Sequence, residues 1–193
     1  MKSALLITVL ASICLLSNAA DIPVYPNFNV QKLAGTWYRI ADVVEGKERT
    51  NTTPIDDVVE PSEEGDMVLR MRYIQDGKCK VTPVHLSHTD KPGIFTIPAS
   101  NEIVHMVDVR YESYHIVHVE QNGTYSLYLL SRKRKVANNV RRKFKTLAKT
   151  LGFDVNHIIN VRLADSCPVI LSIRPVYPSA GKSKCPQIIC QRQ

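Results

Sequence analysis

Two histidines have the residue type and the spacing that a metal ion could use. If Tyr111-Glu112 forms a two-residue turn between flanking strands, His105 and His118 face each other across a hairpin. Two adjacent imidazoles are the beginning of a zinc or copper site. The sequence offers no third ligand at a suitable spacing. A structural histidine pair on the outer face of the sheet is therefore favoured, and no metal is predicted.

Acidic residues are grouped in one candidate strand, Ile55 to Glu60, which holds Asp56 and Asp57. The register of this strand is ambiguous, so one acid is a candidate to point inward. An inward carboxylate would either accept an amine from a ligand or line a wet opening. No nucleophile–base pair is evident, and the eight glycines form no phosphate-binding loop. The residues predict a protein that is not an enzyme and carries no cofactor.

The first residues have the pattern of a secretory signal peptide. Lys2 precedes an apolar stretch from Ala4 to Leu16, and small residues follow it. We expect residues 1–19 to be the leader, with cleavage after Ala19 or Ala20. The stretch is too short to span a membrane, and no other segment approaches the roughly 20 apolar residues that a span needs. The mature protein is therefore expected to be secreted and extracellular, without a transmembrane segment.

Cysteines and glycosylation sequons agree with export. The cysteines that remain once the leader removes Cys14 are Cys79, Cys167, Cys185 and Cys190. An even number in an oxidising compartment predicts two disulfides, and three pairings are open. Asn51 and Asn122 each begin a sequon, which predicts a glycoprotein. Asn122 stands at an expected hairpin tip, where a bulky glycan costs the fold little.

The chain is basic, with 25 Lys and Arg against 18 Asp and Glu and a formal net charge of +7. The run Arg132-Lys133-Arg134-Lys135 and a basic helix face concentrate this charge. A nucleic-acid partner does not fit a protein with a signal peptide, so none is expected. A solvated basic face is the favoured interpretation. The alternative is contact with an anionic surface or a glycan such as heparin.

Short strands between Gly35 and Arg132 must position these residues. Met67 to Ile74 alternates most clearly, and Asp76-Gly77 and Asn122-Gly123 are typical hairpin turns. Pro83 lacks a backbone donor, which predicts a bulge or a weakly paired position. The other strands are expected at Cys79–Leu86, Gly93–Ile97, Ile103–Arg110, Tyr114–Glu120 and Thr124–Ser131, with a short one near His157 to Val161.

One helix follows the strands. Its apolar stripe recurs at helical spacing and consists of Val140, Phe144, Leu147, Ala148 and Leu151. Asn138 or Asn139 is expected to cap its start, and Gly152 to end it. The pattern assigns residues 20–167 to one domain and leaves residues 168–193 as a tail of unknown structure.

Eight short strands in an open sheet would leave exposed edges, so we expect closure. The predicted fold is all-β: an eight-stranded antiparallel up-and-down β-barrel with one C-terminal α-helix packed outside. Its interior is either filled by side chains or holds one small ligand. In Ile103–Arg110 the alternation places Asp108 on the side of Val104. The predicted inward set is Met67, Leu69, Met71, Tyr73, Val84, Leu86, Phe95, Ile97, Val104, Met106, Val117, Val119, Tyr128 and Leu130.

The segment from Asn27 to Tyr38, with Gly35-Thr36-Trp37, resembles the opening motif of the lipocalin family, in particular its major-urinary-protein, odorant-binding and epididymal members. Arg132, placed before the helix, matches the family's third motif. The resemblance implies that Trp37 plugs the closed base of a barrel and that the Arg132 guanidinium lies across it, a cation–π contact. It covers about Asn27 to Cys167.

The second family motif is reduced here to Tyr111, in Val109-Arg110-Tyr111. This departure weakens the expectation of a cell-surface receptor at that end of the barrel. The resemblance also implies a Cys79–Cys167 disulfide, which leaves Cys185 and Cys190 to pair with each other or to form an intermolecular bond. Some lipocalins isomerise a prostaglandin with a free cysteine inside the barrel, and no cysteine stands at such a position here.

The resemblance implies a carrier that binds a small hydrophobic ligand, of the lipid, retinoid, steroid or odorant class, in a barrel cavity. It favours a hollow interior over a filled one. The alternative hypothesis is a secreted surface-binding or signalling protein that acts through its basic face and tail, with the barrel as a scaffold.

Overall fold

The computed structural model describes residues 22–46 and 51–166. A short 3₁₀ helix, Val30–Leu33, precedes the first strand, and a second, Val155–His157, precedes the last. The strands are β1 (Gly35–Val44), β2 (Thr52–Pro61), β3 (Met67–Gln75), β4 (Lys78–His88), β5 (Ile94–Ile97), β6 (Glu102–Arg110), β7 (Tyr114–Gln121), β8 (Thr124–Ser131) and β9 (Ile159–Asn160), and the helix is α1 (Asn138–Thr150).

These strands form a closed, antiparallel, up-and-down barrel. Neighbours in sequence pair from β2 through to β8, and β1 completes the barrel by pairing with both β8 and β2. The two-residue strand β9 adds to β1 outside this ring. Closure removes the sheet edges, as expected for eight short strands. The all-β barrel with one C-terminal helix is thus confirmed.

The β6–β7 hairpin differs from the two-residue turn expected at Tyr111-Glu112. The turn contains three residues, because Arg110 pairs with Tyr114, and within it the Ser113 amide donates to the Arg110 carbonyl over 2.8 Å. A bulge between Met106 and Asp108 compensates for the extra residue. His105 and His118 are therefore partners as expected, but for a different reason.

The same bulge corrects the face assigned to Asp108. Beyond it the alternation reverses, so Val109 enters the interior, fully buried, while Asp108 turns outward. There Asp108 accepts hydrogen bonds from the Tyr114 hydroxyl and the Lys143 ammonium. A one-residue insertion moves every following side chain to the opposite face.

Of the two expectations for Pro83, the bulge is wrong, whereas the weakly paired position agrees with a residue that pairs on one side only. The ladder between β3 and β4 keeps one register from Met67↔Leu86 to Gln75↔Lys78, and Pro83 lies opposite Arg70 within it. On its other side, β4 pairs with β5 only at Ser87 and His88. In the part of the chain that the structure describes, no strand on that side requires the donor that proline lacks.

The helix α1 packs against the outer face of β1, β7 and β8. Phe144 and Ala148 are buried there against Ile116, Leu127 and Leu129, each 0% exposed. Gly152 follows the helix with a φ of +90°, which confirms the expected glycine end. The prediction of an asparagine cap is wrong, because Ala137 is the N-cap residue and no side chain caps the helix there.

Several sequence predictions lie outside the described residues. They concern the leader, residues 1–19, and the tail, residues 168–193, together with Cys167, Cys185 and Cys190. Within the described ranges, no helix is long and apolar enough to cross a membrane.

Candidate functional site

The base of the barrel is closed by an arginine stacked on a tryptophan. The Arg132 Cζ lies 3.7 Å from the centroid of the Trp37 ring, which is itself fully buried. Arg132 also donates to the carbonyl oxygens of Tyr111 and Thr36, at 2.9 and 3.2 Å. Gly35 has a φ of +96°, and a Cβ there would stand 3.3 Å from Arg132 Nη1. The glycine of the motif therefore makes room for the arginine.

Above this base lies a cavity of about 290 Å³. It runs from Leu33, beside Trp37, to Ser100 and Glu102 at the β5–β6 connection. All members of the predicted inward set border it except Tyr73 and Phe95. The bordering members are Met67, Leu69, Met71, Val84, Leu86, Ile97, Val104, Met106, Val117, Val119, Tyr128 and Leu130.

Tyr73 and Phe95 have other neighbours. The Tyr73 hydroxyl lies 3.0 Å from Thr82 Oγ1 on the neighbouring strand. Phe95 is buried, and its ring packs edge-on against Phe28 at 5.7 Å between centroids. Phe28 belongs to the N-terminal segment, which the strand alternation could not place.

The cavity also holds polar residues that the apolar pattern did not identify: Arg39, Asp57, Ser100, Glu102 and His115, besides the apolar Leu33 and Val59. The sequence raised only the ambiguity of Asp56 and Asp57. A register shift between Pro54 and Asp56 resolves it, because Asp57 then faces the cavity while Asp56 pairs outside with Arg72. The Gly-x-Trp spacing could have identified Arg39, which stands two residues after the inward Trp37.

Arg39 and Asp57 form a charged pair on the cavity wall. Arg39 Nη2 lies 3.5 Å from Asp57 Oδ2, and the guanidinium stacks 4.8 Å from the centroid of the Tyr128 ring. Burial raises the pKa of Asp57, and Arg39 opposes that shift only in part. Burial works against the charge of Arg39, but Asp57, Tyr128 and Asp42 together raise its pKa.

His115 borders the cavity next to Trp37, with ring centroids 4.2 Å apart. Burial, and then the positive charge of Arg132, lower its pKa to about 3. Its imidazole is therefore neutral at physiological pH and adds no charge to the interior.

The histidine pair lies on the outer face of the barrel, away from the cavity. The rings of His105 and His118 are 5.7 Å apart, and Phe153 covers His118, which is 1% exposed. Burial and then His105 lower the pKa of His118 to about 4. Among the described residues, no group of three or more metal-ligating side chains is present.

Much of the basic segment is engaged within the fold. Arg134 donates to the carbonyls of Ala164 and Asp165, and the Lys143 ammonium lies 2.7 Å from the Asp108 carboxylate. Other cations of this region are exposed and form no ion pair with a described residue: Lys133, Lys135, Arg142, Lys145 and Lys149.

The remaining predicted positions are peripheral to the cavity. Asn51 and Asn122 are both exposed, and Asn122 stands in the β7–β8 turn with a φ of +50°. Cys79, on β4, is disulfide-bonded. The Tyr111 hydroxyl accepts a 2.7 Å hydrogen bond from the Asn29 amide and so fixes the N-terminal segment across the closed end.

A closed up-and-down barrel with an arginine-capped tryptophan at its base and an apolar interior defines the class of small ligand-binding barrels. Comparison with known proteins identifies the family within that class. Residues 34–165 match the model of the Lipocalin / cytosolic fatty-acid binding protein family. This chain belongs to the lipocalin family, whose members bind small hydrophobic molecules.

Three relatives illustrate its place in the family. Epididymal secretory protein 4 of Zootoca vivipara is 36% identical over 72% of this chain and 81% of its own length. Lipocalin-15 of Homo sapiens is 25% identical over 86% of this chain and 96% of its own length. Prostaglandin-H2 D-isomerase of Canis lupus familiaris is 24% identical, over 78% and 86% respectively.

Proposed function

We propose that this chain is a secreted carrier that holds one small hydrophobic molecule inside its barrel. The observation that carries the proposal is the cavity of about 290 Å³ with a mostly apolar lining. That volume is close to the lower end of ligand pockets, about 300 Å³. The smaller members of the lipid, retinoid, steroid and odorant classes fit it best.

Affinity in such a site comes mainly from removing apolar ligand surface from water, at about 25 cal/mol per Å² before ordering costs are subtracted. The methionines Met67, Met71 and Met106 all border the cavity. Their flexible thioethers adapt to several shapes. This supports a carrier that tolerates a range of guests over one that selects a single shape.

Two valines on β4 offer a matched test. Val84 borders the cavity, whereas Val81 on the same strand is 55% exposed on the outside. Val84→Phe fills part of the cavity, and Val81→Phe adds the same atoms to the surface. In a titration with an environment-sensitive apolar probe, we expect one-to-one binding that Val84→Phe weakens at least about tenfold and Val81→Phe leaves unchanged. Absent binding, or equal effects of both variants, contradicts the proposal.

We also propose that the carrier is not an enzyme. Two arguments support this view. No cysteine is among the described residues that border the cavity, and Cys79 is oxidised. The relatives named prostaglandin-H2 D-isomerase make the direct check worthwhile: incubation with prostaglandin H2 and analysis of the products, with no conversion above the buffer rate expected.

The secreted state brings further proposals: a leader removed after Ala19 or Ala20, glycans on Asn51 and Asn122, and a Cys79–Cys167 disulfide with Cys185 and Cys190 paired. The exposed positions of both asparagines and the oxidised state of Cys79 support them. Mass spectrometry of the secreted protein, before and after glycosidase treatment and reduction, tests each.

A second candidate function is contact with an anionic surface or glycan, or with a cell-surface receptor, through the basic face. The exposed cations on and before α1 favour it, because they retain their charge for an outside partner. Salt-dependent elution from heparin tests the glycan contact, with Lys145→Glu/Lys149→Glu as the charge-reversed variant. We expect that variant to elute at lower salt while its cavity binding is unchanged.

A further inference from the structure

The cavity wall carries a charged pair whose two members are not equally accessible. The Arg39 side chain is 25% exposed, whereas the Asp57 side chain is 5% exposed. Both border the same cavity. Arg39 is therefore the more accessible member of the pair, and its guanidinium can only donate hydrogen bonds. A guest that binds to this wall therefore needs a hydrogen-bond acceptor.

The guanidinium is also held in place. It stacks on the Tyr128 ring, and its Nη2 lies 4.0 Å from the sulfur of Met71 as well as 3.5 Å from Asp57. Its Nε is enclosed by the protein, and the hydrogen bonds that the guanidinium makes with the described residues both start from Nη2. A positioned, incompletely bonded donor gains more from a guest acceptor than a side chain whose bonds are already satisfied.

The charged groups around Arg39 disfavour guests that carry a charge of either sign. The Asp57 carboxyl group already pairs with this guanidinium at 3.5 Å, so a carboxylate guest would have to share Arg39 with a second carboxyl group, and Asp42 also acts on the same guanidinium. Like charges at short range in a poorly solvated site are strongly unfavourable. A cationic guest would meet Arg39 at this wall, while Glu102, the other acidic residue that borders the cavity, stands at the β5–β6 end. His115 is neutral and offsets neither charge.

We propose that the barrel selects hydrophobic guests that carry an uncharged oxygen acceptor, a hydroxyl or a carbonyl, and that this oxygen lies against the Arg39 guanidinium. The inference rests on the proposed function, since it specifies the chemistry of the molecule in the same cavity. The apolar lining holds the body of the guest, and the Arg39–Asp57 pair sets its polar end.

The test is a series of guests of one chain length. A medium-chain methyl ketone, the corresponding alcohol, the carboxylic acid and the hydrocarbon each displace an apolar fluorescent probe from the full mature protein at neutral pH. We expect the ketone or the alcohol to bind about tenfold more tightly than the hydrocarbon and than the carboxylate.

Two variants sharpen the result. Asp57→Asn keeps the shape and removes the competing negative charge, so the carboxylate should gain about tenfold or more and overtake the ketone. Arg39→Met/Asp57→Asn removes both charges, so the preference for oxygen over hydrocarbon should disappear. The matched control is Arg70→Met/Glu60→Gln, which neutralises the exposed outer pair joined at 2.8 Å. This control should leave the relative affinities of the four guests as they are in the wild type.

The outcomes separate the two proposals. If the hydrocarbon binds to the wild type as tightly as both the ketone and the alcohol, or the carboxylate binds best, the inference is overturned while the carrier function stands. If no member of the series binds to the folded protein, both fail. Should the single Asp57→Asn chain not fold, the wild-type series and the double variant still decide the matter.

Discussion

Two apolar layers lie on opposite faces of β7 and β8, and they are packed differently. The outer layer, beneath α1, is sealed: Leu127, Leu129 and Ala148 are each 0% exposed. The inner layer surrounds a cavity, and Leu69, Val84 and Val119 are only partly buried in it. The same strands thus provide stability on one face and binding capacity on the other.

The two layers also differ in the charged groups that they contain. The outer layer encloses His118 in its neutral form, with a pKa lowered to about 4. The inner layer keeps the Arg39–Asp57 pair within reach of the cavity. A sealed apolar layer offers no partner for a charge, whereas a cavity leaves room for one.

The largest predicted effect compares two leucines. Leu129→Ala removes a fully buried side chain from the sealed layer, and we expect a loss of about 3–4 kcal/mol in the free energy of unfolding. Leu69→Ala enlarges a wall that already borders the cavity, so about 1–2 kcal/mol is expected. Urea denaturation of the unliganded variants measures both. Equal losses would mean that the interior is as tightly packed as the helix interface.

The second prediction concerns acid. Because the folded-state pKa of His118 is depressed, its contribution to stability is complete above about pH 6.5 and is lost as the pH falls toward about 4. The integrated loss is about 3 kcal/mol for this one residue. In His118→Leu, the fall in unfolding free energy between pH 7 and pH 4 should shrink by that amount.

The exposed His85 provides the control for this experiment. Replacing it in His85→Leu should preserve the wild-type pH profile. If the unfolding free energy of His118→Leu falls between pH 7 and pH 4 as much as that of the wild type, the sealed layer admits a charged imidazole.

The third and smallest effect compares two arginines over aromatic rings. Arg132→Met removes the half-buried cation at the base, with its hydrogen bonds to Tyr111 and Thr36, and should cost about 2 kcal/mol. Arg134 lies 5.1 Å from the Tyr38 ring, on the outside, and its replacement by methionine should cost less than about 1 kcal/mol. Thermal unfolding of both variants ranks them. Equal losses of stability in the two variants would show that the Arg132–Trp37 contact at the closed base has no special role.

Alternation in the sequence predicted most of the barrel. Met67 to Ile74 and the two turns at Asp76-Gly77 and Asn122-Gly123 lie within or between strands where expected. Such elements are determined locally, by side-chain period and by the left-handed backbone that Asn, Asp and Gly tolerate. The contact of Arg132 with Trp37 could be expected only from the resemblance, because nothing local connects them.

What alternation could not predict came from bulges and from charge. The bulge after Met106 exchanged the faces of Asp108 and Val109, and an added residue in a ladder leaves no clear mark in sequence. Arg39 was missed as a cavity residue, and Asp57 was left ambiguous with Asp56, because an inward charge breaks the apolar pattern from which inward faces are inferred. The cavity itself depends on summed side-chain volumes that no periodicity reports.

The central claim is that the interior of the barrel, and not its outer surface, receives the ligand. Three of the four methionines, Met67, Met71 and Met106, border the cavity. Methyl NMR of the protein labelled at methionine, during titration with an apolar guest, reports on the cavity directly. We expect saturable, one-to-one shifts of these three methyl signals. Unchanged signals of all three methionines, at guest concentrations that saturate binding as measured by probe displacement, would contradict the claim.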